Sequence, residues 1–161
     1  MGKLSICVAL SLLVICGCSR RGPTGPDSLV DSNLTTAPTS TVLAGQTLTL
    51  RASLWRDFQP ITPPDGKSLV AVLQVNTDNG SAVPSSIRAE LVSVIYRIQV
   101  WSSVPQEERA RVETTPVYEV VARDGPKWAP GVTVDVVVRL RDGNGPASLL
   151  RATNQLVRAT F

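Results

Sequence analysis

The fold of this chain is decided by the stretch Val132-Thr133-Val134-Asp135-Val136-Val137-Val138-Arg139-Leu140-Arg141. Apolar and polar side chains alternate along it, and Val137 is the one apolar residue on the polar face. Because successive side chains of a strand point to opposite faces, this period of two predicts a β-strand with one buried face. The Asp142-Gly143-Asn144-Gly145 sequence that follows predicts a hairpin turn, since several of its residues tolerate a positive φ.

The same alternation recurs along the preceding chain. Residues 46–54, 67–77 and 117–123 each predict a strand, and a shorter strand over residues 41–43 precedes the first of them across Ala44-Gly45. Residues 67–77 are apolar on both faces, which favours a central strand. Residues 147–161 predict a last strand or two short ones, with an irregularity at Thr153-Asn154.

Residues 87–101 form the longest strand-like run, and their apolar phase changes partway. Ala89 and Leu91 share one parity, whereas Val92 and Val94 share the other. A bulge near Leu91-Val92, or a strand that crosses between two sheets, would explain the change. The β-branched content of the run disfavours the competing prediction of a helix.

These runs predict an all-β fold, an antiparallel β-sandwich of about seven or eight strands, with a small barrel as the alternative. Turn signals separate the strands. The sequence does not alternate strands with helices, as a parallel sheet would require. The layout resembles the immunoglobulin-like and fibronectin-like sandwiches that are common on bacterial lipoproteins. The paired cysteines and tryptophan between the two sheets of a true immunoglobulin domain are not present in the sequence.

Composition argues against most catalytic chemistry. The chain contains no histidine, and its three cysteines, Cys7, Cys16 and Cys18, all lie near the amino end. Histidine-based triads and zinc sites are thereby excluded. The carboxylates fall in no recognisable pair, and the net charge of +3 comes from scattered basic residues, without the patch that a nucleic-acid reader needs. We therefore expect no enzyme activity, no cofactor, no metal and no nucleic-acid partner.

The amino-terminal stretch carries the clearest functional motif. An uncharged apolar run ends in Ile15-Cys16-Gly17-Cys18, and it is too short for a comfortable transmembrane helix. The motif resembles the lipobox of bacterial lipoproteins. That resemblance implies cleavage between Gly17 and Cys18 and a diacylglyceryl group on the Cys18 thiol, which anchors the chain to a membrane. Ser19 after the cysteine favours the outer membrane in a two-membrane bacterium, and an ordinary secretory peptide is the alternative.

The predicted organisation follows from these segments. Residues 1–17 are a lipoprotein signal peptide, and residues 18–39 form a flexible tether rich in Pro, Gly, Ser and Thr. Residues 40–161 form the β-sandwich domain. The chain is thus expected to be a lipid-anchored module of the bacterial cell envelope.

Few residues of the domain are candidates for binding. Trp55, Trp101 and Trp128 fall at predicted strand ends or in loops, where exposed rings would stack on a sugar or anchor a partner protein. The alternative is that they cap the core between the sheets. The expected function is a non-catalytic binding or accessory role, and the alternative is a carbohydrate-binding or peptidoglycan-binding module that uses these tryptophans.

Overall fold

The regular secondary structure of the described chain is almost entirely β. The structure is a computed structural model that describes residues 31–108 and 116–161. Gly17 and Cys18, the predicted cleavage and lipidation sites, lie outside these residues. The described chain contains a short helix, α1 (Ser32–Thr35), and eight strands: β1 (Ser40–Leu43), β2 (Gln46–Asp57), β3 (Leu69–Thr77), β4 (Ile87–Tyr96), β5 (Gln99–Ser103), β6 (Tyr118–Gly125), β7 (Thr133–Asp142) and β8 (Ala147–Thr160). The all-β prediction is confirmed.

The strands form one curled sheet in the order β5-β4-β7-β8-β2-β3-β6, with β1 paired to β2. We call the half that contains β1, β2, β3 and β6 sheet A, and the half that contains β4, β5 and β7 sheet B. The two halves face each other, as in a sandwich, and β8 connects them. The six pairings other than β2–β8 are antiparallel, but β8 runs parallel to β2 over Leu54–Asp57. The sheet is therefore mixed and not purely antiparallel.

Strand β8 changes sheets at the irregularity that its sequence predicted. Its first ten residues pair with β7, and its last four pair with β2. One extra residue of β8 is accommodated between the Val136 and Val134 pairs of β7, and Asn154 adopts a φ of 57° there. The Asp135 carboxylate accepts a hydrogen bond of 2.9 Å from the Asn154 N–H. The bulge redirects the strand because it adds local twist.

The run over residues 87–101 is two strands, β4 and β5, and not one. A two-residue turn at Arg97-Ile98 separates them, with Tyr96 paired to Gln99. Arg97 has a φ of 54°. Glycine or asparagine usually occupies such a position in a two-residue hairpin turn, so the sequence gives no signal for this one. The predicted bulge is confirmed one residue earlier than expected, where Glu90 is the extra residue between the Ala89 and Leu91 pairs.

The core fills the space between the two halves. The inward side chains of β2, β3, β4, β6, β7 and β8 form one continuous cluster, whose largest fully buried members include Leu48, Leu54, Leu69, Leu73, Ile87, Leu140 and Leu150. Strand β3 lies between β2 and β6, so its prediction as a central strand is confirmed. Each of these aliphatic side chains contributes about 1.5–3 kcal/mol through burial.

A segment before β1 covers the outer face of sheet B. Residues 31–38, which we call the strap, include α1 and end at Pro38, whose carbonyl accepts a 2.8 Å hydrogen bond from the Arg151 N–H. Ala37 of the strap is buried with Val137 and Ile95 in a second, smaller cluster. The strap thus explains why Val137 interrupts the polar face of its strand. It also places the last residues of the predicted tether against the domain.

Candidate functional site

The connections at one end of the sandwich form a single surface, which we call the loop end. It consists of residues 58–68 between β2 and β3, the Arg97-Ile98 turn, residues 126–132 between β6 and β7, and Phe161 after β8. The backbone N–H of Phe58 donates to the Thr160 carbonyl at 2.8 Å, and that of Gly131 donates to the Val157 carbonyl at 2.8 Å. Strand β8 therefore connects two of the loops directly.

Arg56 holds these loops together from inside. It lies on the inward face of β2 and is only 4% exposed. Its guanidinium donates to four backbone carbonyls: those of Asp65, Lys67 at 2.9 Å, and Lys127 and Trp128 at 3.1 Å each. Two belong to the 58–68 loop and two to the 126–132 loop. Because buried polar groups must be hydrogen-bonded, one side chain satisfies and positions both loops.

Aromatic packing fixes the 58–68 loop further. The Arg56 guanidinium lies 5.0 Å from the Phe58 ring centroid, and the Phe58 and Phe161 rings are 6.1 Å apart at an angle of 35°. Gly66 adopts a φ of 73° beside the ring, where a Cβ atom would come within 2.6 Å of Phe58. Glycine is thus required at this position both by the backbone conformation and by the space available.

Two ion pairs tie the loop backbones at the surface. Lys67 Nζ lies 3.0 Å from the Asp57 carboxylate, and Lys127 Nζ lies 2.6 Å from that of Asp65. The Gln59 N–H and the Lys67 ammonium hold the pKa of Asp57 below its usual value. The hydrogen bond from Lys127 likewise lowers the pKa of Asp65. Both carboxylates are therefore ionised at neutral pH, and both pairs remain open to solvent.

The three predicted tryptophans occupy different environments. Trp128 lies in the loop end, where its Nε1 donates to Gln99 Oε1 at 2.7 Å and its ring lies 5.4 Å from that of Tyr96. Trp101 lies in β5 and packs against the core, and a Cβ on Gly125 of β6 would come within 3.0 Å of its ring. Both rings thus fill the seam where the edge strands β5 and β6 approach each other.

Trp55 is separate from the other two. It lies on the outer face of sheet A, in register with Val70 of β3 and Arg158 of β8. Its side chain is partly exposed, and it belongs to neither buried cluster. The structure therefore does not bring the three tryptophans into one site.

Three of the six large exposed apolar side chains of the described residues lie at the loop end, and a fourth borders it. Ile61 is 90% exposed, Phe161 89% and Ile98 82%, and Leu156 at the start of the β8–β2 crossing is 49% exposed. The other two, Val42 and Val104, lie elsewhere. Exposed apolar side chains that gather on rigidly held loops are typical of a surface that contacts a partner. The only sequence property that these residues share is their position in or beside loops, so the sequence did not single them out.

Several carboxylates of the described domain have structural partners. Glu90 at the β4 bulge lies 2.5 Å from Arg141 Nε and 3.2 Å from Arg139 Nε, and the bond from Arg141 lowers its pKa. Asp135 caps the β8 bulge, and Glu119 accepts from Gln74 Nε2 at 2.9 Å. Residues 31–108 and 116–161 hold no group of three or more side chains suited to a metal ion. What the loop end offers chemically is contact area and hydrogen bonding.

Sequence reasoning missed Arg56, although a signal for it existed. The alternation of β2 continues past Leu54 to residue 56, so an inward arginine follows from extending the strand to Asp57. The sequence prediction ends the strand at residue 54, two residues before this inward arginine.

No protein-family model, no curated protein and no solved structure matches this chain. In the described part of the chain, no helix has the length and apolar character needed to cross a bilayer.

Proposed function

We propose that this protein is a lipid-anchored, extracytoplasmic and non-catalytic binding module of the bacterial cell envelope. The anchor is the diacylglyceryl group on Cys18, and the contact surface is the loop end. The observation that carries the proposal is the hydrogen bonding of two loops to the buried Arg56 at the end of the sandwich where Ile61, Ile98 and Phe161 are all exposed. Its partner is a second envelope protein with a complementary apolar surface.

The position of the strap supports this arrangement. Asp31 lines the same groove as Ala147, which follows the Asp142–Gly145 turn at the end of the sandwich opposite the loop end. Asp31 follows Cys18 by 13 residues, so the connection to the anchor spans at most about 45 Å. With the anchor at one end, the loop end is presented away from the membrane. Confinement to the membrane also raises the local concentration of the module near its partner.

The anchor is tested with a fatty-acid probe in living cells. Cys18→Ala is expected to abolish labelling and to leave uncleaved precursor, since the thiol that carries the lipid is gone. Cys16→Ala serves as the matched control, because it removes a neighbouring thiol and leaves Gly17-Cys18 intact. Normal labelling of the Cys18→Ala chain would contradict the anchor.

The contact surface is tested by site-specific photo-crosslinking in intact envelopes. A crosslinking residue at position 61 is expected to give a discrete adduct, and Phe161→Asp in the same chain is expected to abolish it by placing a charge in the apolar contact. Position 42 is the control, because Val42 is 68% exposed but lies outside the loop end. The same adducts from positions 61 and 42, or an adduct indifferent to Phe161→Asp, would refute the loop end as the contact surface.

A further inference from the structure

The outer face of sheet A carries an aromatic residue with one basic residue beside it and a second further along the same strand. Trp55 of β2 is paired with Arg158 of β8 on one side and with Val70 of β3 on the other. Side chains of directly paired residues lie about 4.5–5.5 Å apart at Cβ, so Arg158 borders the Trp55 ring. Arg51 lies on the same face four residues earlier, about 13 Å along the strand.

Arg51 and Arg158 differ from the other basic side chains near this surface because neither contacts a carboxylate. Lys67, Lys127 and Arg123 each contact a carboxylate, at 3.0, 2.6 and 2.8 Å respectively. Within residues 31–108 and 116–161, Arg51 and Arg158 have no ion pair, and both are exposed. An arginine presents a planar fork of donors that matches a carboxylate or a phosphate. This face therefore has free binding capacity for anions.

The groups around Trp55 favour a sugar as the bearer of that anion. The face of a tryptophan ring stacks on apolar ring surfaces, and Ser53 and Gln74 on the same face offer a hydroxyl and an amide carbonyl. A single-stranded nucleic acid also combines stacking with arginine contacts, but its binding surfaces track many phosphates along a positively charged groove. Here the two free cations lie four positions apart along the strand direction and form no continuous basic groove, which suits contact with a few acidic groups.

We propose that Trp55, Arg158 and Arg51 form a binding site for an acidic saccharide. The Trp55 ring stacks on one sugar, Arg158 binds the carboxylate or phosphate of that sugar, and Arg51 binds the acidic group of a sugar further along the chain. The site rests on the proposed role as an envelope binding module, but it uses neither the Cys18 anchor nor the loop end. Of the three tryptophans that the sequence suggests for sugar binding, this site uses only Trp55, because Trp101 and Trp128 pack against the core.

The site is tested with the full chain in detergent micelles, by isothermal titration with oligogalacturonate as the acidic probe. Arg158→Gln removes one charge-assisted pair, which is worth at least about 1.4 kcal/mol or a tenfold loss of affinity. Trp55→Ala is expected to weaken binding by a similar or larger factor. Arg88→Gln is the matched control, since Arg88 is also exposed but lies in β4 of sheet B, outside the loop end, and it is expected to leave the affinity unchanged.

Three further probes separate the possible ligands. Maltooligosaccharide is expected to bind at least tenfold more weakly than oligogalacturonate, and inorganic phosphate and oligothymidylate are expected not to compete. Equal binding of the neutral sugar, tighter binding of oligothymidylate, absence of binding by oligogalacturonate, or an unchanged affinity in Arg158→Gln would each overturn the site. Thermal melting of each variant establishes that it is folded. If the saccharide fails to bind while the crosslink at position 61 persists, only this site is lost and the proposed function stands.

Discussion

Replacement of Arg56 by methionine tests the central claim about the loop end. Methionine keeps the length and the apolar stem of the side chain but removes all the donors. Four backbone carbonyls then lose their partner, two in each of the loops 58–68 and 126–132. Water can enter from the open end of the sandwich and satisfy some of them, so the four losses do not add in full.

The magnitude follows from the type of bond. A hydrogen bond from a charged donor contributes about 1.5–3 kcal/mol net, and with water replacing part of the four bonds we take the net loss as that of about two. We therefore expect Arg56→Met to lower the free energy of unfolding by about 3–6 kcal/mol. For a domain of this size, 1 kcal/mol shifts the Tm by about 4 °C, which predicts a decrease of about 12–24 °C.

The assay combines thermal melting with amide hydrogen exchange. The loss of stability should be accompanied by faster exchange in both loops, because each loses its internal anchor. Arg56→Lys is expected to be intermediate, since one ammonium cannot reach four carbonyls. Arg51→Met, on the same strand but exposed, is the control and should change stability by no more than about 0.5 kcal/mol. A Tm for Arg56→Met within about 3 °C of the wild type, with unchanged loop exchange, would refute the reasoning.

The remaining predictions concern stability at single positions. Gly66→Ala should destabilise more than Gly80→Ala, because both glycines have a φ of 73° but only the first would place a Cβ against an aromatic ring; equal losses in urea unfolding would contradict this. Val137→Ala should cost about 2 kcal/mol if the strap buries Val137, and a loss below about 0.5 kcal/mol would show that it does not. Arg141 lowers the pKa of Glu90, so this pair stabilises the fold above the ordinary carboxyl value of 4.5 and the contribution is lost as pH falls through the lower folded value. The Tm should therefore decrease on acidification, and Glu90→Gln should make that decrease shallower; identical pH profiles would exclude a role for the pair.

The sequence predicts the strands well because the buried face of each strand consists of apolar residues at every second position. The alternation in residues 132–141 locates β7 within one residue, and the phase change after Leu91 predicts a bulge that the structure places one residue earlier, at Glu90. Both signals are local, since burial acts on every second residue of a strand. They are also the reason that the number of strands was predicted within the stated range.

The features that the sequence did not predict depend on contacts between distant segments. The Arg97-Ile98 turn contains no glycine or asparagine, so the sequence gives no turn signal there. The positive φ at Arg97 goes with the pairing of β4 and β5. Parallel pairing of β8 with β2 joins residues about 100 positions apart, which no local pattern reports. Arg56 acquires its role only once two loops from different parts of the chain meet above it. Of the loop end, the sequence therefore singled out only Trp128 before the fold was known, and Trp55 was singled out as a residue of a different surface.

The shared strand β8 has a consequence for how the domain folds. Sheets A and B are joined through β8, which follows every other strand in chain order, and its pairing with β2 closes a very long loop. Contacts of such large sequence separation slow folding, because the entropy of loop closure must be overcome before the contact contributes. Until β8 emerges, the two halves of the core lack their connection and neither is expected to be stable alone. A nascent chain of this protein is therefore expected to stay unfolded until β8 is available.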